Sequence, residues 1–458
     1  MASNPNSYAA RDSAVLLHPY TNALANENDG SLVITRGHGV YVTDDTGKEY
    51  IEAMSVLWCT ALGFGNERLA QAAAQQIRDL SFYHGFNQKS HTPQIELAER
   101  LLALAPVPMS KVFFANSGSE ANDTAFKMVW YRSNAMGKPE KKKIIGRVKG
   151  YHGVTIAAAS ATGTPINHQA FDLPIDGFLH TDCPHYASFA IPGESEAQYS
   201  ERCAQSLDTL IEQEGPDTVA AFIAEPVMGA GGVLIPPAEY FKKIQSVLTK
   251  HDVLMIADEV ICGFGRTGNM WGSETFNIKP DIITCAKALS SGYIPISAVM
   301  INETVYQPIA EQSAEIGSFG HGFTYSGHPV AAAVALETLN IYDELGLVEM
   351  VQAISPVLQN GIQAFADHPL VGDIDGVGLL GVVALVADKA TGESFPANRG
   401  VGPFLLERAL DHGLIIRALG DRIAFSPPLV IDQSEIAEMF VRFGKALNDT
   451  LKWLEIGQ

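Results

Sequence analysis

The chain has no long apolar run and little positive charge, and both shortages limit what it can do. Among its 458 residues, no apolar stretch approaches the roughly 18 residues that are needed to span a bilayer. Lysine and arginine number 31 against 51 aspartate and glutamate residues, which gives a net charge of −20. That surplus of negative charge repels nucleic acid and anionic lipid, so we expect neither as a partner. Any anionic ligand must be held by local groups.

Cysteine is also scarce, and its spacing argues against two kinds of site. The five cysteines are scattered, odd in number and without CxxC spacing, which disfavours a disulfide framework and a zinc site. Cys262 and Cys285 are interpreted as core thiols. No histidine adopts HExxH or another ligand spacing, so no metal is expected. Met1–Arg11 carries no basic segment followed by an apolar one, so we expect no secretory signal and a cytoplasmic location.

Apolar runs of strand length alternate with helix-length segments through the middle of the chain. The strand-like runs end in polar or glycine-rich turns and comprise residues 112–115, 143–147, 219–224, 253–257 and 281–284. The segments with helical periodicity comprise residues 69–80, 92–105, 120–130, 197–214 and 237–250. This alternation predicts an α/β fold with a mostly parallel, doubly wound sheet, in which ligands bind at the carboxyl ends of the strands.

The two ends of the chain have a different pattern. Residues 37–53 are typical of short strands joined by turns, and the tail from about residue 329 is typical of helices followed by mixed strands. We expect these ends to join into one smaller α+β domain. The prediction is an N-terminal segment at residues 1–65, a large domain at 66–329 and a C-terminal small domain at 330–458.

A strand gives way to small residues and then to a helix at residues 113–122. Free N–H groups and the positive end of a helix dipole favour an anion at such a place. Gly118 lets the backbone approach a ligand, and the hydroxyls of Ser117 and Ser119 can donate hydrogen bonds. The pattern also fits a plain N-cap at either serine with Glu120 in the first turn. The residues alone leave both interpretations open.

Two further apolar runs lead into ionisable side chains. The run that begins at residue 253 delivers Asp258 to the carboxyl end of a strand. A buried carboxylate needs a partner, which is either a protonated ring nitrogen or a core arginine such as Arg266. Lys287 follows directly on the run that begins at residue 281, where burial would lower its pKa toward nucleophilic use. Taken alone, Lys287 also fits an amine that reaches solvent.

Two other patterns are assigned no function. Residues 263–268 match the dinucleotide-binding pattern GxGxxG, but that fingerprint requires its last glycine to open a helix. The following segment contains Gly272 and Pro280 and no helical apolar stripe, so we expect no nucleotide there. The lysine run at residues 141–143 is interpreted as a solvated surface.

The order of three features resembles the layout of fold type I pyridoxal-phosphate enzymes. These features are an anion-binding turn, then Asp258 at a strand end, then Lys287 further along the chain. The chain resembles the class III aminotransferases nearly end to end, in particular the omega-transaminases, which pass amino groups from amines or omega-amino acids to pyruvate. The motifs that carry this resemblance are NSGSE at residues 116–120, GYHG at 150–153, EP at 225–226, ADEV at 257–260, AK at 286–287, GFTYSGHP at 322–329 and PPL at 427–429.

The resemblance implies a role for single residues on a pyridoxal 5'-phosphate cofactor. Lys287 would bind the cofactor covalently and then move a proton between the substrate Cα and the cofactor C4'. Asp258 would pair with the pyridinium nitrogen, and Glu225 would help to order Asp258 and its surroundings. The other expected cofactor contacts are Gly118 and Ser119 at the phosphate, Thr324 of the partner subunit at the same phosphate, Tyr151 stacked on the ring, and Ser117, His152, Val260 and Phe323.

The resemblance also implies a substrate pocket. Its expected walls are Tyr20, Trp58, Phe86, Tyr151, Ala230 and Ile261. Arg417 would bind the substrate carboxylate, although its sequence context equally fits a surface ion pair. In this family the arginine is thought to swing toward a keto acid and away from it for an apolar amine. Relatives often carry phenylalanine at position 20, so the tyrosine there leaves the amine preference open.

The expected reaction is a ping-pong transfer through pyridoxamine phosphate, with pyruvate as the expected acceptor. Because the sites are shared between subunits, a homodimer is expected, and pairing of dimers into tetramers is left open. A second interpretation keeps the cofactor but changes the reaction, as in class III aminomutases, decarboxylating relatives, or ornithine- and diaminopelargonate-type enzymes. A third is a cofactor-free binding or regulatory protein that retained the fold.

Overall fold

The structure is a computed structural model that describes residues 6–456. Residues 1–5 and 457–458, which begin and end the predicted terminal segments, lie outside the described residues. The α-helices α1 to α16 are, in order, Tyr8–Ser13, Ala23–Asp29, Ser55–Trp58, Glu67–Leu80, Thr92–Leu104, Gly118–Ala135, Ile156–Ala161, Tyr186–Phe189, Glu196–Glu214, Tyr240–Lys250, Gly272–Thr275, Glu303–Ile316, Pro329–Leu345, Leu347–Gln363, Val401–Asp411 and Gln433–Ile456. The strands β1 to β15 are Ile34–His38, Tyr41–Asp44, Glu49–Glu52, Lys111–Ala115, Lys143–Arg147, Phe178–Thr181, Val219–Ala224, Leu254–Asp258, Ile282–Cys285, Ser297–Ile301, Val371–Val377, Leu380–Leu385, Leu414–Ile415, Arg417–Leu419 and Arg422–Phe425.

A seven-stranded sheet forms the centre of the large domain, with the order β4-β10-β9-β8-β7-β5-β6. Only β10 runs against its neighbours β4 and β9, while the pairs from β9 to β6 are parallel. Apolar side chains of α6 and α12 pack with strand residues in one buried cluster, and those of α9 and α10 form another. The predicted mostly parallel, doubly wound sheet is confirmed.

Two four-stranded sheets lie outside the large sheet, and one of them joins the chain ends. In that sheet β13 pairs in parallel with β3, so that Leu414 lies opposite Ile51. The other sheet has the order β11-β12-β15-β14 and comes from the C-terminal part alone. The expected smaller α+β domain from both chain ends is therefore present. The predicted domain limits at residues 65/66 and 329/330 stay a prediction.

Most elements predicted for the middle of the chain occur within a few residues of their expected limits, but the strands β6 and β10 and the helices α7, α8, α11 and α12 were not predicted. The interpretation of residues 141–143 as a solvated surface was wrong for Lys141. Its side chain is buried, and its amine donates to the His251 carbonyl and lies 3.5 Å from the Asp252 carboxylate. The charge is tolerated there because these oxygens satisfy it. Within residues 6–456, the helices are too short or too polar to cross a membrane.

The parallel strands place their carboxyl ends at one edge of the large sheet. Beyond β4 this edge carries the start of α6, and beyond β5 it carries Tyr151. Beyond β7 it carries Glu225, and β8 ends at Asp258. Lys287 follows β9 by two residues and opens a short 3-10 helix. The residues that the sequence singled out therefore converge because each one follows a parallel strand.

Candidate active site

A cavity of about 650 Å³ lies at this edge of the sheet. Most of the predicted site residues line it, which confirms that the fold brings them together. Those residues are Tyr20, Trp58, Gly118, Ser119, Tyr151, His152, Glu225, Ala230, Asp258, Val260, Ile261, Lys287 and Arg417. The cavity also contains residues to which the sequence assigned no individual role: Pro19, Leu57, Asn122, Gly153, Val154, Thr164, Ile166, Asn167 and Leu419.

Four predicted site residues do not line this cavity: Ser117, which directly precedes the lining residue Gly118, and Phe86, Phe323 and Thr324. Phe86 lines a second groove, which shares none of its lining residues with the cavity. A Cβ atom on Gly322 would lie 3.0 Å from Phe86 Cζ, so the 319–326 segment packs directly on that phenylalanine. Phe323 and Thr324 belong to this segment, and Thr324 is exposed. Within the described part of one chain, these residues therefore form a separate surface.

Asp258 is 3% exposed and is held from two sides. Its Oδ2 atom accepts hydrogen bonds from His152 Nδ1 at 2.8 Å and from Asn122 Nδ2 at 2.9 Å, while Oδ1 accepts one from the Val260 N–H. The alternative partner, Arg266, donates instead to Ser55, Leu379 and Pro427. Asp258 thus keeps Oδ1 free to accept a second hydrogen bond from the cavity.

The neighbouring carboxylate, Glu259, points away from the cavity. Its oxygens accept the backbone N–H groups of Gly272 and Ser273 and the Ser273 hydroxyl. Burial raises the pKa of this carboxyl group to about 7. Asp258 and Glu259 point in opposite directions because successive side chains of an extended strand point to opposite faces of the sheet. Only Asp258 of the two is available to a ligand.

Asn122 is the most informative site residue to which the sequence assigned no role. It is fully buried, and its Nδ2 group donates both to Asp258 and to the His152 carbonyl, while its Oδ1 accepts the Thr284 hydroxyl at 2.8 Å. One side chain therefore joins α6, the 150–153 loop and strands β8 and β9. Its position four residues after Gly118, on the same face of α6, is the signal that could have found it.

Lys287 is half-buried and has positive φ, 48°. Burial lowers the pKa of its amine, and the nearby Cys59, Asp258 and Glu225 act in the opposite direction. Its Nζ atom lies 5.2 Å from the centre of the Trp58 ring. A lowered pKa favours the neutral amine, which is the form that attacks a carbonyl carbon and accepts a proton.

The start of α6 offers backbone donors to an anion. Ser117 is the N-cap and accepts the Glu120 N–H at 3.2 Å, so the plain capping interpretation holds for this serine. Ser119 is not a cap, since its hydroxyl accepts the Val154 N–H. A Cβ atom on Gly118 would lie 3.1 Å from the side chain of Val260, so a larger residue here would press on Val260. The helix end and these N–H groups favour a phosphate.

Glu225 orders two walls of the cavity. It is 2% exposed, and its carboxylate accepts the N–H groups of Tyr151 at 3.0 Å and Gly229 at 3.1 Å. Arg147, which is fully buried, donates to the Glu225 carbonyl at 2.6 Å. Burial raises the pKa of Glu225. These contacts fix the loop that carries Tyr151 and the loop that carries Ala230.

The outer part of the cavity combines aromatic walls with one cation. The guanidinium of Arg417 lies 5.1 Å from the centre of the Trp58 ring, and burial lowers its pKa. The hydroxyl of Tyr20 accepts a hydrogen bond from Asn167 and contacts Tyr151. A half-buried arginine over an indole keeps its charge and remains available to a carboxylate.

The donor set fits pyridoxal phosphate. An amine of lowered pKa suits the aldehyde, a carboxylate with a free lone pair suits the ring nitrogen, and a helix N-terminus with an open glycine suits the phosphate. These groups lie together in one cavity of sufficient volume.

Comparison with known proteins places most of the chain in one family. The family model for class III aminotransferases matches residues 23–447. The chain is 51% identical over 436 residues to gamma aminobutyrate transaminase 3, chloroplastic, of Solanum lycopersicum, which covers 95% of this chain and 84% of that protein.

Solved structures agree with this result. The crystal structure of the omega-transaminase from Pseudomonas jessenii in complex with PMP is 56% identical, with a TM-score of 0.97, and the match covers 99% of this chain and 100% of that one. A solved transaminase with L-ala is 55% identical, with a TM-score of 0.91, and that match covers 92% of this chain and 100% of the other. Since the family match spans nearly the whole sequence, the chain belongs to the class III aminotransferases and is a pyridoxal-phosphate-dependent enzyme.

Proposed function

We propose that this transaminase moves an amino group from an amine or omega-amino acid to a keto acid, with pyruvate as the acceptor. The observation that carries the proposal is the Arg417 guanidinium over Trp58 in the cavity that also holds Lys287. An arginine in an otherwise aromatic and apolar outer cavity suits two substrates. It can pair with the carboxylate of a keto acid, and the surrounding walls can accept the apolar part of an amine.

The roles of the inner residues follow from their contacts. Lys287 would hold the cofactor and then carry a proton on Nζ to and from the substrate carbon. Asp258, fixed by His152 and Asn122, would accept a hydrogen bond from the ring nitrogen and keep it protonated. When bound, the cofactor supplies a ring that stabilises negative charge on the substrate carbon.

Other residues would bind and orient. Gly118 and Ser119 would hold the phosphate with their backbone N–H groups at the start of α6, capped by Ser117. Tyr151 would lie against the ring, in the position set by Glu225. Val260 would contact the ring from the side where it packs on Gly118, and Ala230 and Ile261 would complete the wall.

Two of the related proteins support the choice of substrates. One solved transaminase was determined with L-ala, and alanine is the amino acid that pyruvate becomes when it accepts an amino group. The related protein of Solanum lycopersicum is named for gamma aminobutyrate, which is an omega-amino acid. A donor whose amino group lies far from its carboxylate, or that lacks a carboxylate, is therefore the class that we assign to this chain.

A transfer assay with separate donors and acceptors tests the proposal. Purified protein with pyridoxal phosphate is incubated with 1-phenylethylamine or gamma-aminobutyrate and with pyruvate or 2-oxoglutarate. We expect alanine and the carbonyl product of the donor in equal amounts with pyruvate, no turnover for Lys287→Ala, and unchanged turnover for the exposed-lysine control Lys279→Ala. Absence of alanine, with lysine-bound cofactor still visible, would contradict the pyruvate assignment and favour another class III reaction.

We also propose that the active enzyme is a homodimer. Phe86, Phe323 and Thr324 lie on one surface outside the cavity of their own chain, and Thr324 of the partner subunit would reach the phosphate. Exposed apolar side chains around this surface favour burial by a second copy; they are Phe82, Tyr83, Phe86 and Tyr325. Light scattering should give the mass of two chains, or of four if dimers pair, and Thr324→Ala should weaken pyridoxal-phosphate binding. A monomer that binds the cofactor normally would contradict this.

For location, we propose the cytoplasm. All five cysteines lie within the described residues and are free thiols, which suits a reducing compartment. Cell fractionation with an antibody to the chain tests this proposal, and recovery of the chain in an organelle fraction would contradict it.

A further inference from the structure

Arg266 belongs to the glycine-rich segment that resembles a nucleotide fingerprint, and it is one of the most buried large side chains. It is 2% exposed. Its NH1 group donates to the Pro427 carbonyl at 2.6 Å and to the Leu379 carbonyl at 3.2 Å, and NH2 donates to the Ser55 hydroxyl at 3.2 Å. These acceptors belong to three segments that are far apart in the sequence.

The charge on Arg266 is unusual for its surroundings. Among residues 6–456 it forms no ion pair with a carboxylate, and burial lowers its pKa to about 10, so it stays protonated at neutral pH. A buried cation that contacts only carbonyl and hydroxyl oxygens is costly to desolvate. A shorter or neutral side chain could not donate to all three acceptors.

One of these acceptors, Ser55, lies in Ser55–Trp58 (α3), which is a strained turn and not a regular helix, because Val56 and Leu57 have non-helical backbone angles. Ser55, Val56 and Trp58 all have positive φ, at 47°, 64° and 60°. For a β-branched residue such as Val56 this conformation is a genuine outlier, and it persists only where the surroundings enforce it. The turn leads from buried Met54 to buried Trp58, whose ring lies next to Lys287 and Arg417.

The contacts that enforce this conformation converge on Ser55. Its hydroxyl accepts from Arg266 and donates to the Ser426 carbonyl at 2.7 Å. On the other side of the turn, the buried Glu52 carboxyl group accepts the Met54 N–H at 2.8 Å and the Val56 N–H. Arg266 therefore joins the turn to residues 426 and 427, which directly follow β15, and β15 pairs with the strand that carries Arg417.

We propose that Arg266 is a positioning residue, which holds the Ser55–Trp58 turn in its strained conformation and thereby fixes the Trp58 indole against Arg417 and Lys287. Arg266 does not line the cavity and would act through Ser55. The inference rests on the proposed function only in its kinetic consequence, since the position of the indole can be measured without catalysis.

The test uses the full-length holoenzyme labelled with 5-fluorotryptophan. The chain has four tryptophans, and Trp58→Phe identifies the resonance of Trp58 in the ¹⁹F spectrum. The test variants are Arg266→Lys and Ser55→Ala. Ser55→Ala leaves the Arg266 bonds to Pro427 and Leu379 intact, so it carries the test if Arg266→Lys does not fold. The matched control is Ser355→Ala, whose hydroxyl donates to a carbonyl within α14.

We expect both test variants to shift or broaden the Trp58 resonance alone, and the control to leave all four resonances in place. We also expect KM for amine and keto acid to rise about 10-fold while kcat changes less than about threefold, because hydrogen bonds that hold the turn are lost and the reacting groups are intact. A Trp58 resonance that stays in place in the folded Ser55→Ala and Arg266→Lys proteins would overturn the inference. A shifted resonance with unchanged KM would support the inference and contradict the assignment of Trp58 to the substrate wall.

Discussion

The guanidinium of Arg417 lies 5.1 Å from the centre of the Trp58 ring, at the outer end of the cavity that holds Lys287. A cation over an indole gains about 0.5 to 2 kcal/mol from the ring electrons. Trp58 can therefore hold Arg417 in the cavity without a carboxylate partner, which leaves the guanidinium open to a substrate carboxylate.

The first prediction concerns Arg417→Ala. We expect KM for pyruvate to rise about 10- to 100-fold, because a hydrogen bond to a charged group contributes roughly 1.5 to 3 kcal/mol. KM for 1-phenylethylamine, which has no carboxylate, should change little. Initial rates with each substrate varied in turn measure the difference, and Arg399→Ala, an exposed arginine, is the control. An equal loss for both substrates would remove the carboxylate role.

The second prediction concerns Asn122→Ala. Asp258 would lose one of its two side-chain donors, and the Thr284 hydroxyl would lose its acceptor. We expect kcat to fall about 10-fold or more and pyridoxal-phosphate binding to weaken. Single-turnover rates of each half-reaction and cofactor titration check this.

The control for this prediction is Asn134→Ala, an exposed asparagine near the end of the same helix. It should leave both quantities unchanged. If Asn122→Ala keeps the parent rate and affinity, His152 alone is sufficient to position Asp258.

The third prediction concerns the pH dependence of stability. Burial raises the pKa of Glu52 from 4.5 to about 7. Between pH 4.5 and pH 7 the Glu52 carboxyl group is protonated in the folded protein and ionised in the unfolded chain. The contribution of Glu52 to the free energy of unfolding therefore falls as pH rises from 4.5 to 7 and is constant above pH 7. Glu52→Gln keeps an acceptor for the Met54 N–H and cannot ionise.

Denaturant unfolding of the parent and Glu52→Gln proteins at several pH values checks this prediction. The free energy of unfolding of the variant relative to the parent should rise between pH 4.5 and pH 8, by up to about 3 kcal/mol. The exposed residue Glu49 lies on the same strand, and Glu49→Gln should show no such trend. A difference that stays flat with pH for Glu52→Gln would mean that Glu52 is ionised in the folded protein.

Much of the fold could be predicted because its signals are local. Strands such as Val219–Ala224 and helices such as Glu196–Glu214 follow from apolar runs, caps and periodicity within each segment. The strand Ser297–Ile301 was missed, and its antiparallel direction depends on pairing with β4 and β9, which are distant in the sequence. Local patterns carry no information on such pairing.

The difference between local and long-range signals also explains which site residues could be predicted. Asp258 and Lys287 stand out because each directly follows a buried run, which is visible in the sequence. Asn122 and Arg266 act through partners on other segments, so their contacts appear only after the chain has folded. The choice for Asp258 between a ring nitrogen and Arg266 needed the structure, since it depends on where the Arg266 side chain points.

The fourth prediction is the most direct test of the account: an absorption spectrum of the purified protein, recorded before and after an amine donor such as 1-phenylethylamine and again after pyruvate. We predict a yellow band of lysine-bound cofactor that collapses with the amine and returns with pyruvate. Lys287→Ala should lack this response, because it has no amine to bind the cofactor covalently. Absence of the band in the parent protein after incubation with pyridoxal phosphate would contradict the role of Lys287. A band whose absorbance changes with neither substrate would contradict the proposed transfer.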